Sequence, residues 1–258
     1  MTIRTLLVAA ISVPALLSTL ATPALAADIT LLSPGAMMSS LKQLIPQFEA
    51  SSGHKVTVTY SPALAIAKRA VTDEAAATVI ILGEGSADAL EKLGKLVTGS
   101  KTVIARVGVG VFVRRGDPKP DISTVEAFTH ALMNAKVIAY SDPALGGSAS
   151  NYVSELLAKL DVAGSIKSRT KLATQYRSLA NFVAAGGVDF GLNQITEIRA
   201  DARLELVGPL PAPLQRYTNY AAGVVAVAGN QGAGKELIDF LASPAASDVM
   251  RGNGFEPR

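Results

Sequence analysis

Five short segments of the chain concentrate side chains suited to holding negative charge. They are Ser33-Pro34-Gly35-Ala36, Ser61-Pro62-Ala63, Gly83-Glu84-Gly85, the stretch 142–148 with Gly146, Gly147 and Ser148, and Asn193-Gln194. Each mixes hydroxyl or amide donors with side chains small enough to let the main chain approach a guest. Where such a segment opens a helix, the first N–H groups have no intrahelical partner. The helix dipole adds partial positive charge at the same end, and the result is a cradle for an anion. Candidate contacts are Ser33, Gly35, Ala36, Ser61, Ala63, Gly83, Gly146, Gly147, Ser148, Asn193 and Gln194. Any one segment is equally an ordinary strand-to-helix turn; five on one chain point to a shared site.

Proton chemistry at such a site needs one positioned base. Glu84, Glu197 and Tyr60 are the candidates, with His54 behind them. Glu84 follows an apolar run between two glycines, so its carboxylate can point into a cleft, whereas Glu197 also reads as a helix N-terminal residue. Lys68 and Arg69 offer charge if a side chain folds back, and otherwise form a solvated helix face. The chain has no Cys and only two His, 54 and 130, which argues against a His/Cys metal centre. No metal and no cofactor are expected. Gly229-Asn230-Gln231-Gly232-Ala233-Gly234-Lys235 is similar to a phosphate-binding loop, but Glu236 stands where that loop needs Ser or Thr. Gly147-Ser148-Ala149-Ser150 is similar to a nucleophile turn but lacks its closing Gly. Both histidines are expected to be solvated.

The segments sit between regularly alternating elements. Period-two or continuous apolar runs predict strands at 29–32, 55–60, 78–82, 106–113, 137–140, 171–173, 190–192, 204–207 and 220–228. Helical spacing predicts helices at 38–51, 63–73, 86–93, 124–134, 150–160, 177–184, 234–242 and 244–251. This rhythm implies an α/β fold of mainly parallel sheets flanked by helices. In such sheets ligands collect at the carboxyl ends of strands, where all five segments fall.

The first residues read as a secretory leader. Arg4 precedes an apolar run over 6–20, and Ala24-Leu25-Ala26 forms a small-x-small cleavage site. Removing 1–26 from 258 residues leaves 232, room for two lobes. The formal charge of +3 falls to +2 when Arg4, the leader's single charged residue, is lost. No basic run suggests nucleic acid. A periplasmic protein, a monomer with no stable membrane insertion after cleavage, is expected.

Asp28-Ile29-Thr30-Leu31-Leu32, Gly53-His54-Lys55-Val56, Ser141-Asp142-Pro143-Ala144, 240–246 and Gly254-Phe255-Glu256-Pro257 together resemble the periplasmic molybdate-binding proteins of ABC importers. The resemblance implies a two-lobed type II periplasmic binding fold with a ligand cleft between lobes. It implies lobe 1 at 27–108 plus 213–258 and lobe 2 at 109–212. It also implies a small anionic ligand and an importer membrane subunit as partners. The family's first-loop serine falls on Ala36, its second-loop serine on Ala63, its backbone contact within 144–148 and its tyrosine on Gln194. An oxyanion losing three hydroxyl donors forfeits about 1–3 kcal/mol for each, so molybdate is not the expected guest. Gly191-Leu192-Asn193-Gln194-Ile195-Thr196-Glu197-Ile198 and Gly208-Pro209-Leu210-Pro211 resemble a divergent branch, usually described only as substrate-binding, that also looks like periplasmic aconitate isomerase. The expectation is capture of an organic carboxylate or oxyanion for an importer. The alternative is a cofactor-free isomerase acting on aconitate.

Overall fold

The computed structural model describes residues 26–72, 77–174 and 178–256. Residues 1–25 of the leader, Asp73, Arg177 and Pro257 lie outside the described residues. The elements run β1 (Asp28–Ser33), a 3-10 turn (Gly35–Met37), α1 (Met38–Ser52), β2 (Lys55–Tyr60), α2 (Ala63–Val71), β3 (Val79–Gly83) and α3 (Glu84–Lys92). β4 (Thr102–Arg114), α4 (Val125–Asn134), β5 (Ile138–Ser141), a 3-10 turn (Pro143–Leu145), α5 (Ser148–Lys159) and α6 (Ala163–Ile166) follow. Then come β6 (Thr170–Ala173), α7 (Ser178–Ala184), β7 (Phe190–Gln194), α8 (Ile195–Arg199), β8 (Leu204–Pro209), β9 (Tyr217–Val224), α9 (Gln231–Leu241) and α10 (Pro244–Gly252).

α1 shows why these residues form these elements. Leu41, Leu44, Ile45 and Phe48 recur at helical spacing and are all buried; each contributes about 1.5–3 kcal/mol by leaving water. Pro46 falls on the exposed face, where solvent can take the carbonyl its ring leaves unbonded. Gly53, at φ 78°, ends the helix in the left-handed conformation that favours glycine. β3 is buried along its whole length, as a strand covered on both faces must be.

The sheet order is β2-β1-β3-β9-β4-β7-β5-β6, with β8 also on β4. β1 pairs in parallel with β2 and β3, and β5 in parallel with β6 and β7. Each half sets two parallel pairings beside two antiparallel ones: β9 runs antiparallel to β3 and β4, and β4 antiparallel to β7 and β8, so the sheet is mixed. β4 has 13 residues and changes partner midway: Gly108 faces Tyr217 of β9, and Val109 faces Gln194 of β7. The Gln215 amide covers this change, accepting from the Val109 N–H at 3.0 Å and donating to its carbonyl at 2.9 Å.

Apolar layers cover both faces of each half. α1, α9 and α10 pack with Leu31, Ile81 and Val224 on one side of the first sheet, and Ile66 and Leu90 with Leu32 and Leu82 on the other. Phe128, Val153 and Leu157 cover one side of the second sheet. Phe112, Val183 and Ile198 fill the other.

Several element ends differ from expectation. β4 begins at Thr102, α9 at Gln231 and α5 at Ser148, all earlier than their apolar patterns indicate. β9 ends at Val224, short of Ala228. α3 starts at Glu84 with no intervening loop. His54 is not solvated: it is 2% exposed, its Nδ1 accepts from the Ala27 N–H at 3.1 Å, and its Nε2 lies 3.2 Å from a Glu236 oxygen. Those partners arrive from the start of β1 and from α9, so the local Gly-His turn gave no sign of them. His130 is exposed on α4, as expected.

Candidate functional site

A cavity of about 180 Å³ lies between the two halves, at the carboxyl ends of β1, β2, β3, β5 and β7. Its wall gathers Gly35, Ala36, Tyr60, Ser61, Ala63 and Gly83 from the first half, with Gly147, Ser148, Asn193, Gln194 and Glu197 from the second. Three candidates lie outside it. Ser33 is fully buried and its hydroxyl donates to the Pro34 carbonyl. Gly146 lies between the wall residues Leu145 and Gly147, with a φ of 74°, and a Cβ there would stand 2.9 Å from Cβ of Leu64. Glu84 occupies the first turn of α3 and accepts from the Asn219 amide at 2.9 Å. Lys68 and Arg69 do not reach the wall.

Four α-helices begin at this cavity. α2 follows Pro62, α3 follows Gly83, α5 follows Gly147 and α8 follows Gln194. None of these preceding residues caps its helix with a side chain, nor does Pro34 before the first 3-10 turn. Their first N–H groups are therefore left to whatever fills the space. Asp142 does cap the 3-10 turn beside the wall, accepting from the Ala144 N–H at 2.9 Å. The halves touch closely here, because a Cβ on Gly83 would stand 2.6 Å from the Ser148 hydroxyl. Glycine at this position leaves the hydroxyl free to hold that rotamer.

On the second half, one polar network borders the space. Asn193 accepts from the Gln194 N–H at 2.9 Å. Gln194, 4% exposed, accepts from the Tyr220 hydroxyl at 2.8 Å, so its amino group remains as a donor. Burial pushes the Glu197 carboxyl up to about 7, against a hydrogen bond from Asn193 that pulls it down. Burial first, then the negative charge of Glu197, push the Tyr220 phenol above its usual value.

Tyr220 was missed in the sequence. It belongs to β9, and its place at the cavity comes from long-range pairing with Gly83. The one local sign is a lone phenol in the run Tyr220-Ala221-Ala222-Gly223. The resemblance put Gln194 where relatives carry tyrosine; a tyrosine from another strand stands beside it. Leu145, Ala149, Leu179 and Leu204 add hydrocarbon to the wall, and none carried a binding signal of its own. Among the described residues, no three side chains gather in a way that could hold a metal ion. No described helix is long and apolar enough to cross a membrane.

Residues 29–256 match the family model described as bacterial extracellular solute-binding protein. An aconitate isomerase from Pseudomonas sp is 30% identical over 248 residues, covering 92% of each chain. The molybdate-binding protein ModA of Azotobacter vinelandii is 24% identical over 249 residues, again covering 92% of each. The solved periplasmic molybdate-binding protein of Azotobacter vinelandii superposes with a TM-score of 0.75 at 18% identity, covering 89% of this chain and 99% of that one. With two lobes, a cleft at the strand ends and a match along nearly the whole described chain, the protein belongs to the bacterial extracellular solute-binding protein family.

Proposed function

We propose that this chain captures a small organic carboxylate between its lobes, in the periplasm, and presents it to the membrane subunit of an ABC importer. The observation that carries this reading is the set of uncapped helix starts around one cavity. The hydrocarbon in the wall favours an organic acid. Methyl groups at Ala36 and Ala63, with Leu145 and Leu179 nearby, suit a guest with hydrocarbon between its charged ends. The change of partner in β4 between Gly108 and Val109 supports dividing the lobes there, with the return crossing before residue 213. Cleavage after Ala26 and action as a monomer complete the proposal. A thermal-shift panel of molybdate, sulfate, phosphate, citrate and both aconitates tests it, since a ligand that prefers the folded form raises the melting temperature. Stabilisation by carboxylates is expected; stabilisation by molybdate or sulfate alone sinks the carboxylate assignment.

A second reading has its own observation. Glu197 is a cavity-wall carboxyl poised near neutrality, and a relative at 30% identity is an aconitate isomerase. A base in that position removes a proton from carbon beside a carboxylate; the electron pair shifts the double bond, and a proton returns to another carbon. The uncapped helix starts stabilise the charge that develops meanwhile. Proton NMR of purified protein with trans-aconitate decides: appearance of the cis isomer, lost in Glu197→Gln, establishes the enzyme. Binding without product leaves a carrier.

A further inference from the structure

Glu197 presents a difficulty that the rest of the cavity does not. The other polar groups of the wall suit a negative guest, yet an ionised carboxylate there repels one. Glu197 is half-buried on the first turn of α8, and the groups around it do little to offset that repulsion. Asn193 supplies one amide donor. Tyr220, facing from β9, commits its hydroxyl to Gln194. Asp201, beyond the far end of α8, is a second acid at the wall and pairs with Arg203. Of the charged groups on elements packed against α8, Glu205 of β8 pairs with Arg115 and Lys119, Arg106 of β4 stacks over Tyr217, and Arg114 at the end of β4 pairs with Asp117. Arg199, on α8 itself, lies against Gly254. None of the described lysines or arginines forms an ion pair with Glu197.

Two negative groups in one desolvated space raise each other's proton affinity. We propose that Glu197 carries a proton whenever an anion occupies the cavity, so that capture takes up one proton from solvent and the carboxyl serves as a hydrogen-bond donor. This rests on reading the cavity as the anion site of a carrier, since a carboxyl that holds a proton while the anion is bound is not the base of the isomerase reading, and it adds a coupling between affinity and pH. The sign is fixed by linkage. The bound anion raises the carboxyl above its free-state value of about 7. Below that pH both states are protonated and affinity is level. Above it, affinity falls by up to about tenfold per pH unit until the bound-state value is passed.

The test is calorimetric titration of trans-aconitate and, separately, sulfate into the leaderless protein from about pH 6 to 9, in two buffers with different ionisation heats. Sulfate has no proton to gain or lose in that range, so uptake measured with it is the protein's; trans-aconitate, whose last carboxyl titrates towards the acidic end, is read in the upper half of the range. The expected result is a Kd that weakens above neutrality, uptake approaching one proton per anion, and loss of both effects in Glu197→Gln. A level wild-type profile, or a slope that survives in the variant, overturns the proposal while leaving anion capture standing. No binding of either probe at any pH removes the anion reading and this proposal with it. Should the variant fail to fold, the carboxyl resonance of 13C-glutamate-labelled wild-type protein gives a second readout. Its midpoint must rise when the probe is added, and an unmoved midpoint overturns the proposal.

Discussion

On the outer surface, α4 and α10 begin with a side chain closing the turn: Thr124 accepts from the Ala127 N–H at 3.1 Å and Ser243 from the Ala246 N–H at 3.2 Å. At the cavity, α2, α3, α5 and α8 begin after Pro62, Gly83, Gly147 and Gln194 with no such bond. α9 is uncapped away from the cavity, its Asn230 side chain donating instead to the Asp28 carbonyl. A side-chain cap contributes about 0.5–2 kcal/mol. Doing without one at four neighbouring starts sets aside stability that a guest can restore. Side-chain caps thus occur at two helix starts away from the cavity and at none of the four that border it.

Installing a cap where none exists should give the largest effect. Pro62→Asp offers α2 a carboxylate cap and places negative charge at the wall. Calorimetry should show trans-aconitate affinity down by about 10- to 100-fold, the equivalent of one charge-assisted bond, while the ligand-free melting temperature rises. Unchanged affinity would mean that α2 does not face the guest. Gly83→Ala should act next, because its methyl falls 2.6 Å from the Ser148 hydroxyl and turns that donor away from its place on the wall. Calorimetry should show affinity down by about tenfold, the loss of roughly one hydrogen bond of about 1.5 kcal/mol. Tyr220→Phe removes the donor from a buried amide carbonyl. Urea unfolding should show a loss of about 1–2 kcal/mol. The smallest change should be Thr124→Ala, about 1 kcal/mol of stability with ligand affinity unaltered. Were it to weaken binding as much as Pro62→Asp, the distinction between the two sets of helix starts would be void.

Elements whose signal is local were legible beforehand. β2 occupies 55–60 as its alternation predicts, α1 follows its apolar stripe, and Gly53 ends that helix. Each of the five small, polar segments at strand ends contributes residues to the cavity wall. What stayed hidden depends on register or on partners distant in the chain. Tyr220 reaches the cavity because β9 pairs with β3 at Gly83. His54 is buried because Ala27 and Glu236 close over it. Glu84 turned away from the cleft because β3 passes straight into α3, which aims the carboxylate at Asn219. Glu197 was readable as a helix-start acid, but its proton affinity is a property of the folded wall.

The partner change in β4 sets the mechanics of the whole molecule. A strand that is a full member of two sheets cannot slip along either without breaking its ladder, so the halves can swing but not slide. The swing must concentrate near Val109, where a side chain, Gln215, stands in for the missing strand. Gly108 and Gly110 flank that point, each hemmed in closely enough that a methyl group would meet a neighbour at 3.0 Å or less. Any side chain added at either glycine would therefore press on the joint itself.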